Sequence, residues 1–211
     1  MNRLPPIAAR PYAWPYDGGW SMDHTALLLV DFQGEQVAET GAQTVVAALA
    51  RLLERWRAAD GFVLHGRRGF DPIVGLPRVA ALRNAARKRD RILPRGAPGW
   101  HHVAALSAAE GEPVIDHVGD NAFIATDLAV LLQQKKIAHL VIAGLRTEGA
   151  VHATMRAAND FGFEALLLED GTATDLAGAH QTIMSITRFG SGLFGTTAPI
   201  AALEAVLPSR G

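Results

Sequence analysis

HLVIAGLRTEGAVHATM, residues His139 to Met155, decides how this chain folds. Leu140, Val141, Ile142 and Ala143 make an apolar run of strand length, Gly144 interrupts it, and Ala150, Val151, Ala153 and Met155 resume at helical spacing. The pattern predicts a buried strand, a short turn, and a helix from Glu148 to Phe161. The turn at Leu145 to Gly149 then lies at the carboxyl end of a strand and points into a helix N-terminus, where unpaired N–H groups and the positive end of the helix dipole gather. An anion or a developing oxyanion is stabilised at such a place, so a ligand site is expected there.

The same alternation runs outward in both directions. Thr25 to Val30 is an apolar run closed by Asp31; Phe62 to Leu64, Pro113 to Asp116, Phe163 to Glu169 and Ser191 to Thr197 read as further strands. Between them, residues 42–60 carry Val45, Val46, Leu49, Leu52, Leu53 and Trp56 on one helical face. Leu128 to Gln134, capped by Thr126 or Asp127, residues 176–189, and Ile200 to Val206 complete the helices. Strands alternating with helices predict an α/β fold: a three-layer α/β/α sandwich around a six-stranded, mostly parallel sheet of Rossmann-like order, with right-handed crossovers. Residues 1–24 form a Pro- and aromatic-rich arm whose Trp14, Tyr16 and Trp20 are expected to bury against the domain or a neighbouring subunit. Residues 25–211 form the domain. Within it, prolines and glycines break the pattern over 73–111, an expected insertion serving as lid or subunit contact, and the basic run from Arg87 to Arg91 reads as a solvated face.

Composition removes several functions. With 211 residues, 49% of them hydrophobic, the chain has material for one sizeable core. A formal charge of −1 and a pI of about 6.7 provide no field for nucleic acid or an anionic membrane. No uninterrupted apolar segment reaches the ~18 residues of a membrane span, and the first residues lack a signal-peptide core, so a cytoplasmic location is expected. The absence of cysteine excludes disulfides, cysteine-based zinc sites and thiol nucleophiles. Gly190, Gly192 and Gly195 do not make a dinucleotide fingerprint, and no cofactor is expected. Glu148 and His152 share a helix face without a third ligand, and the adjacent His101 and His102 point different ways, so no metal is expected. Ser185, Ser191 and Thr147 lack the turn of a serine nucleophile.

What remains is a constellation. Asp31, His117 and the turn from Arg146 to Ala150 each follow a buried strand and therefore collect at one carboxyl edge of the sheet. Asp31 by itself reads equally as a helix cap or a surface turn.

The segments ALLLVDFQ (26–33), VIDHVGDNAFIATDL (114–128), GLRTEGAVHATMRAANDFGFEALLLEDGTAT (144–174) and SGLFG (191–195) resemble the isochorismatase-like, or cysteine hydrolase, superfamily, nearest its biuret and ureidoacrylate amidohydrolase branch. Amidases of that family use an aspartate, a lysine and a cysteine: the carboxylate takes the thiol proton, the lysine orients it, and the thiolate attacks the carbonyl. The resemblance places Asp31 at the aspartate, His117 at the lysine and Ala150 at the cysteine. Where the branch shows His-Thr-Arg-Glu-Gly-His after the second strand, this chain has His65, Gly66, Arg67, Arg68, Gly69 and Phe70. The same resemblance assigns the pocket to Gln33, Arg67, Arg68, Asn121, Phe123, Arg146, Thr147, Glu148 and Gly149. It also implies a small-molecule ligand and a homo-oligomer, dimer or tetramer.

An alanine methyl cannot form an acyl intermediate, so covalent cysteine-type amide hydrolysis is excluded for this sequence. A lone inactivating Cys→Ala change would account for Ala150 but not for His117, Arg68 or Phe70. Two readings follow. In one, Asp31 acts as general acid if burial raises its pKa, or with His117 activates water. His117 as a purely structural residue stands beside that role, and Arg146 either meets an acidic substrate or pairs with Glu148 or Asp120. In the other, the chain is a pseudoenzyme that binds a metabolite or a partner subunit. An open pocket would favour the first; one plugged by Arg68, Phe70 or Arg146 would favour the second.

Overall fold

In a computed structural model of the protein, which describes residues 3–87 and 89–208, the apolar runs become six strands. They are β1 (Thr25–Val30), β2 (Phe62–Arg68), β3 (Val114–His117), β4 (His139–Leu145), β5 (Glu164–Ala173) and β6 (Thr196–Ala198). All five pairings are parallel, in the order β3-β2-β1-β4-β5-β6. Seven helices are described: α1 (Gly34–Thr40), α2 (Gln43–Ala58), α3 (Arg78–Ala86), α4 (Leu128–Gln134), α5 (His152–Asp160), α6 (Ala179–Gly192) and α7 (Ile200–Glu204). None is long and apolar enough to cross a membrane.

The period-2 geometry of the strands divides the core into two layers. Leu27 and Leu29 of β1, Val141, Ala143 and Leu145 of β4, and Leu166 and Leu168 of β5 pack on one face with Leu49, Leu52, Leu53 and Trp56 of α2. Their neighbours Ala26, Leu28, Val30, Leu140, Ile142, Ala165 and Leu167 pack on the other face with Leu128 and Leu132 of α4 and Met155 and Ala158 of α5. Both faces are covered, which is why the central strands are apolar at every position rather than at alternate ones.

The chain lays β2 and β3 to one side of β1 and then returns to lay β4 on the other. The crevice of an open α/β sheet forms where this reversal occurs, between the carboxyl ends of β1 and β4. Glycines line that point. Val30, the last residue of β1, is in register with Gly66 of β2 and Gly144 of β4. A Cβ at Gly144 would stand 2.7 Å from Val30 O and 2.8 Å from both Val30 Cβ and Val151 Cγ2. Gly144→Ala is therefore expected to cost about 1–3 kcal/mol through overpacking, read as a lower urea midpoint at unchanged slope. An unaltered midpoint would show that the β4 end yields freely.

Several boundaries move from their sequence expectation. β2 continues past Leu64 through Arg68, because His65 to Arg68 pair with Val114 to His117 of β3. The helix after β4 starts at His152, not Glu148. A wider π-helical turn, Thr147–Val151, precedes it, with Gly149 at φ −98° and ψ −110°, outside helical values. The last strand shrinks to three residues because Gly192 and Gly195 adopt φ of 94° and 118°, which an extended strand does not use. Helices α1 and α3 form where no periodic apolar stripe announces them; α3 buries none of its residues.

The N-terminal arm packs on its own domain. Leu4 bridges to Trp20, Ile7 to Trp14, and Arg10 to Thr197, so the arm covers the β6 edge of the sheet. Trp14 and Trp20 are buried, Trp20 stacking on Trp56 at 6.2 Å between centroids. Tyr16 does not follow them: it is 79% exposed.

Candidate active site

Asp31 and His117 meet at the switch point. Asp31 leaves β1 at φ 58°, an unusual backbone for a non-glycine residue, with its N–H donating to Gly66 O at 3.0 Å. That turn holds its carboxylate inward, 1% exposed, where Oδ1 lies 2.9 Å from His117 Nε2. His117, at the end of β3, reaches past Gly66 of β2 to Asp31; a Cβ at position 66 would stand 3.6 Å from Nε2, in ordinary contact.

The other imidazole nitrogen sets the proton inventory. His117 Nδ1 lies 2.8 Å from Gly119 O, a pure acceptor, so Nδ1 carries a hydrogen. Nε2 then either donates to an ionised Asp31 or accepts from a protonated one, and the Nε2–Oδ1 contact holds one shared proton. Burial pushes the Asp31 carboxyl up, but the charge and hydrogen bond of His117, then Arg68, outweigh it and hold it below the usual carboxylate range. Burial pushes His117 down, but Asp31 and the Gly119 carbonyl hold it above the usual imidazole range. Both directions favour carboxylate with imidazolium. His102 supports the same corner: its Nε2 donates to Gly66 O at 3.0 Å, and burial lowers its pKa to about 4.

Ala150, 2% exposed, sits in the π-helical turn and packs into the core layer formed with α5. The Gly149 and Val151 amides both donate to Arg146 O, at 3.0 and 3.4 Å. Thr147, fully buried, shares a 2.7 Å hydroxyl contact with Thr172. Glu148 Oε2 is buried with no hydrogen-bond partner among the described residues.

Arg68, the last residue of β2, acts on Asp31, and Arg146 directly follows β4; they are 4% and 9% exposed. Arg68 Nη1 donates to Asp120 at 2.6 Å and Nη2 to Asp90. Arg146, at φ 34°, does not pair with Glu148 or Asp120, the partners considered from sequence. It donates to Glu39 at 2.7 Å, Asp175 at 2.5 Å and Gln36 at 3.1 Å, and its Nε lies 3.1 Å from Asp90 Oδ1. Arg89 and Arg91 of the basic run are exposed, as expected of a solvated face, while its one acid, Asp90, turns inward.

The remaining predicted pocket residues are engaged elsewhere. Gln33 donates to Arg68 O at 2.9 Å and Trp100 O at 2.7 Å while its Oε1 accepts from Arg68 N, clasping the β2 end to the loop before His102. Arg67 forks onto Asp116 at 2.8 and 3.2 Å and lies over the Trp100 ring. Asn121 accepts from Phe123 N, and Phe123 stacks on Phe161 and Phe163. Sequence reading passed over Glu39, Asp90 and Asp175. Only Asp90 left a trace there, as the single acid inside a run of bases.

This geometry coincides with known likenesses. The Isochorismatase domain model matches residues 25–197. The chain is 29% identical over 163 residues to the uncharacterized isochorismatase family protein YecD of Escherichia coli O157:H7, covering 74% of this chain and 84% of that one. It is 25% identical over 195 residues to the ureidoacrylate amidohydrolase RutB of an Enterobacter species, covering 82% of each. A cysteine hydrolase from Pseudomonas syringae pv. phaseolicola shares the fold at a TM-score of 0.78 and 19% identity, over 94% of this chain and 95% of that one. The strand order, the buried acid at the end of β1 and a family match from the first strand to the sixth lead to one assignment: the chain belongs to the isochorismatase domain family of hydrolases.

Proposed function

We propose that this family member hydrolyses a small acidic metabolite without covalent catalysis, with Asp31 and His117 as the proton-handling pair. The observation that carries this reading is the 2.9 Å contact between them, buried at the switch point with the His117 tautomer pinned by Gly119 O. Oδ1 is occupied by His117, so Oδ2 is the oxygen that exchanges a proton with the reacting molecule. Because His117 and Arg68 hold Asp31 low, the carboxyl is ionised near neutrality. That favours activating water as a base over delivering a proton as a general acid. As water attacks, its proton passes to the pair, whose proton affinity belongs to both groups together, and returns from it to the leaving group as the scissile bond breaks. With alanine at position 150, water adds to the substrate directly and no acyl-enzyme forms. Ureidoacrylate, named for one relative, fits the acidic substrate class.

One observation favours the second reading, a family member that binds but does not hydrolyse. Asp31, His117 and Ala150 are only 1–2% exposed, and the two arginines beside them are already paired. The deciding experiment is turnover of small acidic amides, ureides and vinyl ethers in ¹⁸O-labelled water. Label in the product of a single turnover, with no adduct in the intact protein mass, is the expected result. No turnover of any of them by protein that still binds the compounds would leave the binding reading.

A further inference from the structure

Asp90 occupies a place that fits a ligand better than it fits a structural residue. Arg68 and Arg146 belong to the ends of sheet strands and are each fixed by partners other than Asp90: Arg68 by Asp120, and Arg146 by Glu39, Asp175 and Gln36. Asp90 belongs to no strand or helix. It follows α3 in the segment before β3, at φ 53°, a left-handed backbone that non-glycine residues rarely adopt. Its Oδ1 nevertheless accepts from Arg68 Nη2 and lies 3.1 Å from Arg146 Nε, bridging the two cations across the crevice beside Asp31. Oδ2 lies 3.5 Å from Arg87, and the backbone N–H donates to Glu39. The Asp90 side chain is 25% exposed, against 4% for Arg68 and 11% for Arg146, so it enters the slot from the solvent side.

Arg68 Nη2 and Arg146 Nε face one gap, and the Asp90 carboxylate in it adds a further counter-charge to those of Asp120, Glu39 and Asp175. Planar guanidinium donors suit a carboxylate, and a carboxylate from outside would satisfy them as Asp90 does. We propose that Asp90 is an internal stand-in for a ligand carboxylate, and that a small carboxylic acid binds between Arg68 and Arg146 by displacing it. This rests on the carboxyl edge of β1 and β4 being the site, as proposed above. It adds what the site recognises: the acid group takes the slot that Asp90 holds between Arg68 and Arg146.

The tethered carboxylate competes at an effective concentration of order millimolar. Removing it is therefore expected to tighten binding of a free carboxylate by at least about tenfold. The test is calorimetric titration of succinate and benzoate, with succinamide and benzamide as neutral controls, into the natural chain, Asp90→Ala and Asp90→Asn. Asp90→Asn keeps the shape and serves where Asp90→Ala does not fold. Tighter acid binding in the variants with unchanged amide binding is the expected outcome. Equal affinity of the acids for all three proteins, or an equal gain for the amides, overturns it. Binding is read without turnover, so the two proposals part. Variants that gain acid affinity while no form hydrolyses anything support this inference and remove the hydrolase reading. Hydrolysis of neutral substrates indifferent to Asp90 does the reverse.

Discussion

Asp31→Asn is expected to lower kcat/KM on an acidic substrate by about 10²- to 10⁴-fold, the range of a lost acid–base group. Asparagine keeps the volume and an oxygen for His117, so folding survives. What disappears is the carboxylate in contact with His117, and with it the charge that holds the imidazole above its usual range. His117 in the variant therefore titrates lower. Neither member can then accept a proton from water at neutral pH while keeping the other oriented. The pH profile should separate this from a structural role: the natural chain shows a limb belonging to the coupled pair, and the variant loses that limb rather than merely scaling down. Activity within about twofold of the natural chain, with the limb intact, would sink the assignment.

How much of this was readable in the chain depends on the range of the interaction. The strands were legible because burial on both faces makes them continuously apolar, as in Leu27 to Val30 and Leu140 to Ala143. The carboxyl-edge grouping of Asp31, His117 and the 146–150 turn follows from topology and needed no side-chain detail. The π-helical turn was not legible, because Gly149 interrupts the helix only through its backbone angles. The roles of Gln33, Arg67 and Phe123 were also hidden: each is decided by a partner far along the chain, Trp100, Asp116 and Phe161 respectively. The same holds for Asp90, which meets Arg68 and Arg146 only after the segment between β2 and β3 folds back over the sheet. Helix α3 escaped because it buries nothing, and a helix without a buried stripe has no periodic signature.

His117→Ala is expected to destabilise the protein by about 3–4 kcal/mol at pH 7, the lower part of the range for breaking a buried charge pair from one side. The variant strands the Asp31 carboxylate, 1% exposed, beside a methyl group. Arg68 offsets part of this, since its charge also favours ionised Asp31. The ceiling is the cost of protonating Asp31 instead, about 1.4 kcal/mol for each pH unit above its unfolded pKa of ~3.9, or roughly 4 kcal/mol at pH 7. The pH dependence has a fixed sign on each side. Asp31, held low in the fold, contributes stability that is present above ~pH 3.9 and lost as pH falls through its folded value. His117, held high, contributes stability that is complete below ~pH 6.5 and lost as pH rises through its raised value. The gap between the natural chain and the variant should therefore widen from pH 4 toward neutrality and narrow again in the alkaline range. Urea unfolding across pH reads it directly. Adding Asp31→Asn to the His117→Ala background removes the stranded charge and should recover at least about 1 kcal/mol, whereas two independent losses would simply add. Additivity would mean that the 2.9 Å contact holds no coupling energy and that Asp31 and His117 do not act as a pair.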